Sequence, residues 1–229
     1  MARMWTRVPS CAAGSGPSPR HSVWFPILAG VRIGLLGGTF DPPHLAHLHT
    51  GEVAYRQLGL DRVVFMPAGA PWQKAGRKVS APEHRWEMTR RAVQGVDYFE
   101  ADEREVHREG WTYTADTLAT FDPDCEIVLI LGADSARGLP TWERADEVLK
   151  RVEVAVAPRP GTDRGEVEAA LGSSTTVSWL DMIPLDVSGT IIRDRVARGR
   201  PVRFLVRDSV WRYFMAENLY ADEIRAPVG

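Results

Sequence analysis

The sequence predicts a doubly wound α/β fold, a single domain with one parallel sheet and helices on both of its faces. Three observations predict it. Short β-branched runs alternate with stretches of helical periodicity at the spacing of βαβ units. One of these runs, Glu126–Leu131 (EIVLIL), is apolar at nearly every position, as a strand covered on both faces must be. The first run ends on paired glycines that lead into a helix, and open α/β sheets bind their ligands at such strand ends.

The elements follow in order. Val31–Leu36 (VRIGLL) is a strand that runs into Gly37-Gly38. Leu48, Gly51, Tyr55 and Leu58 recur at the spacing of one helix face. Arg62–Met66 (RVVFM) is a second strand, closed by Pro67. Pro82–Val93 is a helix with proline in its first turn, where a missing N–H costs nothing. After Glu126–Leu131, Trp142–Leu149 is helical, Val152–Ala157 (VEVAVA) a strand and Glu166–Leu171 a short helix. Thr176–Leu180 is a last strand, and helices over Thr190–Arg198 and Asp208–Leu219 close the domain. Neither a repeat nor a linker interrupts residues 31–222, and 223–229 form a tail.

Composition excludes several classes. With 44% hydrophobic and 25% charged residues among 229, the chain is neither collagen-like, disordered nor a coiled coil. A formal net charge of −2 provides no global field toward nucleic acid or membrane. No apolar run approaches the roughly 18 residues of a membrane span. Two cysteines, Cys11 and Cys125, cannot build a disulfide framework or a four-cysteine zinc site, which fits a reducing cytoplasm. Residues 1–30 mix Pro, Gly, Ser and Arg without hydrophobic periodicity, and they read as a disordered extension or a start-site artefact rather than a signal peptide.

The chemistry concentrates in Gly37-Gly38-Thr39-Phe40-Asp41-Pro42-Pro43-His44-Leu45-Ala46-His47. Two glycines let the backbone pass close to a ligand with N–H groups turned toward an anion. The prolines then lead into a helix whose start is itself an anion site. His44 and His47 stand three residues apart there and share one face. Zinc ligation is one reading of the pair, with His49 nearby, but neither an HExxH pattern nor a cysteine cluster supplies further ligands. A satisfied helix-cap histidine is a second reading and leaves the glycines and prolines unexplained. The third is a pair of imidazoles that donate hydrogen bonds to phosphates.

GGTFDPPHLAH resembles the H-x-G-H signature of the nucleotidyltransferase superfamily, with Ala46 where that family usually has Gly. Within it, residues 31–222 resemble the bacterial nicotinate-nucleotide adenylyltransferases, Rossmann-like enzymes that join nicotinic acid mononucleotide to the AMP part of ATP with Mg²⁺ and release pyrophosphate. The resemblance implies ATP contacts from Gly37, Gly38, Thr39, Phe40, His44 and His47. Val187-Ser188-Gly189-Thr190-Ile191-Ile192-Arg193 resembles the family's I-S-S-T-x-x-R segment, which brings Ser188, Thr190 and Arg193 to the ATP phosphates; Gly189 replaces its second serine. On its own, Ser188 reads as the cap of an amphipathic helix.

Thr112, Tyr113 and Thr114 lie in a segment resembling S-Y-T-x-D-T-L, whose backbone amides recognise the nicotinate carboxylate in the family. Asp134, after the buried strand, suits a ribose contact. Trp142 resembles the family's tryptophan that stacks on the pyridine ring; without the family it reads as a core residue. Lys74 in a P-x-x-K loop and Arg159 in an R-P-G turn resemble its phosphate-binding cations. Seven arginines between Arg193 and Arg212 scatter over several helix faces without stacking aromatics, so neither nucleic acid nor membrane is an expected partner, and the oligomeric state stays open.

The implied chemistry is adenylyl transfer with His44, His47, Lys74 and Arg193 as the catalytic set. A phosphate nucleophile is already ionised near neutral pH, so positioning and charge neutralisation carry the rate. Another adenylyl- or cytidylyltransferase of the superfamily is the nearest alternative, and a nucleotide-binding sensor without turnover is the alternative from another class. Deleting residues 1–30 is expected to leave both the melting temperature and the turnover unchanged; a clear drop in either would show that the segment packs on the domain.

Overall fold

The computed structural model describes residues 30–70 and 79–221. Six strands form one sheet: β1 (Arg32–Gly38), β2 (Arg62–Pro67), β3 (Phe99–Ala101), β4 (Glu126–Gly132), β5 (Val152–Ala157) and β6 (Val177–Trp179). Their order across the sheet is β3-β2-β1-β4-β5-β6 and every pairing is parallel. The strand order reverses between β1 and β4, which opens a crevice at their carboxyl ends. The described residues also form eight helices: α1 (Leu45–Leu58), α2 (Pro82–Val93), α3 (Thr114–Leu118), α4 (Ala133–Gly138), α5 (Ala145–Arg151), α6 (Arg164–Leu171), α7 (Gly189–Ala197) and α8 (Asp208–Ala216). Among the described residues no helix is long and apolar enough to cross a membrane.

The central strands read as continuous apolar runs because alternate side chains feed opposite layers. Ile33 and Leu35 of β1 join Ile127, Leu129 and Leu131 of β4 in one buried cluster, while Leu36, Val128 and Ile130 face the other. A third cluster lies beyond the sheet, where Met88 and Ala92 of α2 pack with Ile192 of α7, Val210 and Phe214 of α8, and Tyr220. It fastens the C-terminal helices to α2.

The doubly wound architecture expected from the sequence is present, with some elements redrawn. β1 continues through Gly37 and Gly38, which pair with Met66 and Pro67 of β2. The helix expected at Trp142–Leu149 is instead α5, starting at Ala145. Leu139–Thr141 form a 3₁₀ turn containing Pro140, Trp142 is extended (ψ 155°), and Arg144 adopts a left-handed φ of 53°, so no helix can run back through them. α8 stops at Ala216 because the next turn passes through Asn218 at φ 50°. The short elements β3, α3 and α4 carry too few residues to show a period.

Gly69, just after β2, is fixed by a close crossing. A Cβ built there would lie 2.0 Å from the carbonyl oxygen of Glu105, so the strand end and the 105 segment touch backbone to backbone. Gly69→Ala is therefore expected to lower the unfolding free energy by at least about 2 kcal/mol, read as a shift of the urea midpoint; an unchanged midpoint would contradict this crossing.

Candidate active site

β1 delivers the chain to the sheet's switch point, and the turn that follows is packed to a specific shape. Phe40, at φ 50° and buried, sets its ring edge-on to His47 at 4.9 Å; a Cβ on Gly38 would lie 3.1 Å from the same ring. His44 is the extended N-cap of α1, and its N–H donates to Nδ1 of His47 at 3.2 Å. With Nδ1 accepting, a neutral His47 carries its proton on Nε2. The two imidazoles stack at 3.7 Å with 23° between their planes. His44 is 6% exposed, and its pKa falls to about 4, through burial first and the Arg159 charge second.

A cavity of about 390 Å³ opens at the carboxyl ends of β1, β4 and β5. Gly37, Gly38, Thr39, His44 and His47 line it on the side of α1, which packs in the layer of Leu36 and Ala54. Thr112, Tyr113, Thr114 and Trp142 line it on the side of α3, which packs with Trp142 in the opposite layer of Leu35 and Leu118; these are its two walls. Arg159, from the turn after β5, and Ala46 also line the cavity. Trp142 packs partly against the core, as its reading without the family expects, and also lines the cavity.

Other expected residues sit at one remove. Phe40 touches the ring of His47 and is not among the residues lining the cavity. Asp134 is at the rim, 3.4 Å from the Arg159 guanidinium and 3.7 Å from that of Arg137. Ser188 caps α7, its Oγ accepting from the Ile191 N–H at 3.3 Å. Arg193 donates to the Asp41 carbonyl at 2.7 Å and reaches Thr190 Oγ1 at 3.4 Å, with its side chain 18% exposed. Gly189 has a spatial cause: a Cβ there would lie 2.7 Å from the same Asp41 oxygen. Lys74 lies outside the described residues.

A family model for cytidylyltransferase-like proteins matches residues 35–195. A relative from Thermoanaerobacter sp. (strain X514), named "Probable nicotinate-nucleotide adenylyltransferase", is 38% identical over 199 residues, spanning 83% of this chain and 94% of its own. A relative of the same name from Exiguobacterium sibiricum is 40% identical over 194 residues, 83% of this chain and 100% of its own. The chain belongs to the nicotinate-nucleotide adenylyltransferase family. The Plasmodium falciparum nicotinic acid mononucleotide adenylyltransferase complexed with NaAD shares its fold, with a TM-score of 0.71 at 15% identity over 85% of this chain and 100% of that one.

The motifs of this adenylyltransferase leave out Arg85 and Glu105, and they contain Asp41 without showing what it holds. Asp41 is 5% exposed; it accepts the Ser80 N–H at 3.1 Å and the Tyr220 hydroxyl at 2.8 Å, and burial first, then the Asp41 charge and this bond, push the Tyr220 pKa up. Arg85, 1% exposed, donates to the carbonyls of Ser80 (2.9 Å), Thr39 (3.1 Å), Gly69 (2.6 Å) and Ala68. Glu105 lines the cavity, accepts from Thr117 Oγ1 at 2.5 Å, and has its pKa raised by burial. For Arg85 a signal existed: residues 85, 88, 89 and 92 form the i, i+3, i+4, i+7 stripe of α2, so the arginine stands on its buried face.

The desolvation of His44 has a pH signature. The unfolded chain takes a proton near pH 6.5, whereas the folded chain holds His44 neutral until about pH 4. The folded state thus binds fewer protons in that window, and the stability tied to this group is present above it and lost as pH falls through it. Between pH 7 and pH 5 the wild-type chain is expected to lose about 2 kcal/mol more unfolding free energy than His44→Gln in urea denaturation. Equal losses in the two chains would mean that His44 is not desolvated.

Proposed function

We propose that the chain transfers the adenylyl group of ATP to nicotinic acid mononucleotide, giving nicotinic acid adenine dinucleotide and pyrophosphate. The observation that carries this reading is one cavity at the switch point holding the stacked histidines on one wall and the Thr112–Thr114 segment with Trp142 on the other. ATP takes the histidine wall, with Gly37, Gly38, Thr39 and Phe40 shaping its backbone. The mononucleotide takes the opposite wall, its carboxylate at the Thr112–Thr114 amides, its ring against Trp142 and its phosphate toward Arg159, with Asp134 at the ribose edge. A phosphate oxygen of the mononucleotide attacks the α-phosphorus of ATP; that P–O bond forms as the bond to the β-phosphate oxygen breaks.

His47 donates through Nε2–H to the oxygens that gain charge in this step, and His44 binds the phosphates beside it. Lys74 and Arg193 offset the charge of the departing pyrophosphate, with Ser188 and Thr190 as hydroxyl donors. Mg²⁺ bound to the ATP phosphates would neutralise part of their charge, and few protein ligands would be needed because the ion keeps much of its water shell.

Pyrophosphate release from ATP and Mg²⁺ tests the reading. Release is expected to be fast with nicotinic acid mononucleotide and much slower with the amide mononucleotide; release only with phosphopantetheine, or none, would overturn it. His47→Ala is expected to lower kcat by about 10²–10³ with a smaller change in KM, and near-full turnover would remove the histidine from the chemistry.

A further inference from the structure

Arg85 is among the most deeply buried side chains of the protein, yet its hydrogen-bond partners among the described residues are backbone carbonyls rather than carboxylates. Burying a guanidinium costs free energy that an apolar residue of similar size avoids, so fold-holding alone is a poor account of it. An arginine supplies five N–H donors in a rigid planar fork. Here that fork spans three separate stretches of chain: Thr39 in the turn between β1 and the histidines, Ala68 and Gly69 at the end of β2, and Ser80 ahead of α2.

These stretches are the footings of the two cavity walls. Thr39 precedes His44 and His47 on the ATP side. Gly69 and Ala70 carry the opposite wall, because the Thr112 N–H donates to the Ala70 carbonyl at 3.4 Å and the Gly69 backbone abuts that of Glu105. We propose that Arg85 is a positioning residue that sets the spacing between the two substrate walls, and through it the alignment of the attacking phosphate with the α-phosphorus. The proposal rests on the adenylyl-transfer reading above. Because Arg85 lies beneath the walls rather than in the cavity, each substrate still finds its own wall when the spacing changes. The two are then bound but misaligned, and a displacement of about 1 Å can cost on the order of 10² in rate.

The test compares wild-type protein with Arg85→Met, which removes the fork, and Arg85→Lys, which keeps the charge and part of the donor set. For each, kcat is measured at a temperature where circular dichroism shows the chain folded. Affinities for α,β-methylene-ATP and for nicotinic acid mononucleotide are measured separately by calorimetry. The expected result is a fall in kcat of at least about tenfold in Arg85→Lys, larger in Arg85→Met, with both affinities within about threefold of wild type. A folded Arg85→Lys with kcat within about twofold of wild type would overturn the proposal, as would affinities that fall in step with kcat. An Arg85→Lys chain that cannot fold would assign the residue to the fold alone, and also overturns it. Failure of the wild-type protein itself to release pyrophosphate would instead strike the functional reading.

Discussion

The buried carboxylate of Asp41 is the constraint on which the site's geometry depends. A charge at 5% exposure is tolerable only when its oxygens are occupied, and each partner here comes from a distant part of the chain. Ser80 reaches it from the approach to α2, Tyr220 from beyond α8, and Arg193 of α7 lies 3.9 Å from the carboxylate while donating to the Asp41 carbonyl. Three residues later the chain enters α1 at His44. The direction in which the imidazoles face is thus settled by contacts that none of them makes. The bare Cα of Gly189 belongs to the same arrangement, since it lets α7 press against this turn.

Much of the fold was legible because its strands are buried on both faces and its longer helices carry periodic stripes. α2 runs over Pro82–Val93 and β5 over Val152–Ala157, the bounds read from the sequence. The elements that were not legible are short. β3 has three residues and α3 five, too few for either period to show, and both owe their form to neighbours: β3 to its pairing with β2, α3 to the packing of Ala115 and Leu118 in the core. The misplaced start of α5 has another cause, a left-handed Arg144 that no local pattern announces.

The site divides in the same way. Its contiguous part, the glycines and histidines after β1, could be read as a motif because a phosphate loop needs those residue types in that order. Thr112–Thr114, Trp142 and Arg159 could be named only by resemblance, and the fold gathers them around one cavity. The contacts of Asp41, Arg85 and Glu105 stayed hidden, although Asp41 stands in the motif and Arg85 on the buried stripe of α2. Their significance lies in partners up to 179 residues away, and a lone Asp, Arg or Glu in a sequence is by default a solvated side chain. Ser188, Thr190 and Arg193 are the intermediate case: the capped helix was legible, its attachment to the Asp41 turn was not.

The bond between Tyr220 and Asp41 also has a temporal consequence. Its partners are separated by 179 residues, so at about 5–20 residues per second a ribosome finishes one roughly 10–40 s after the other. β1 and β2 can pair, and α1 can pack, during that interval. The Asp41 carboxylate can take the Ser80 N–H in that interval, but the Tyr220 hydroxyl and Arg193 reach its turn only when the last helices arrive. Assembly of the sheet and completion of the Asp41 turn are therefore distinct events in the life of a nascent chain.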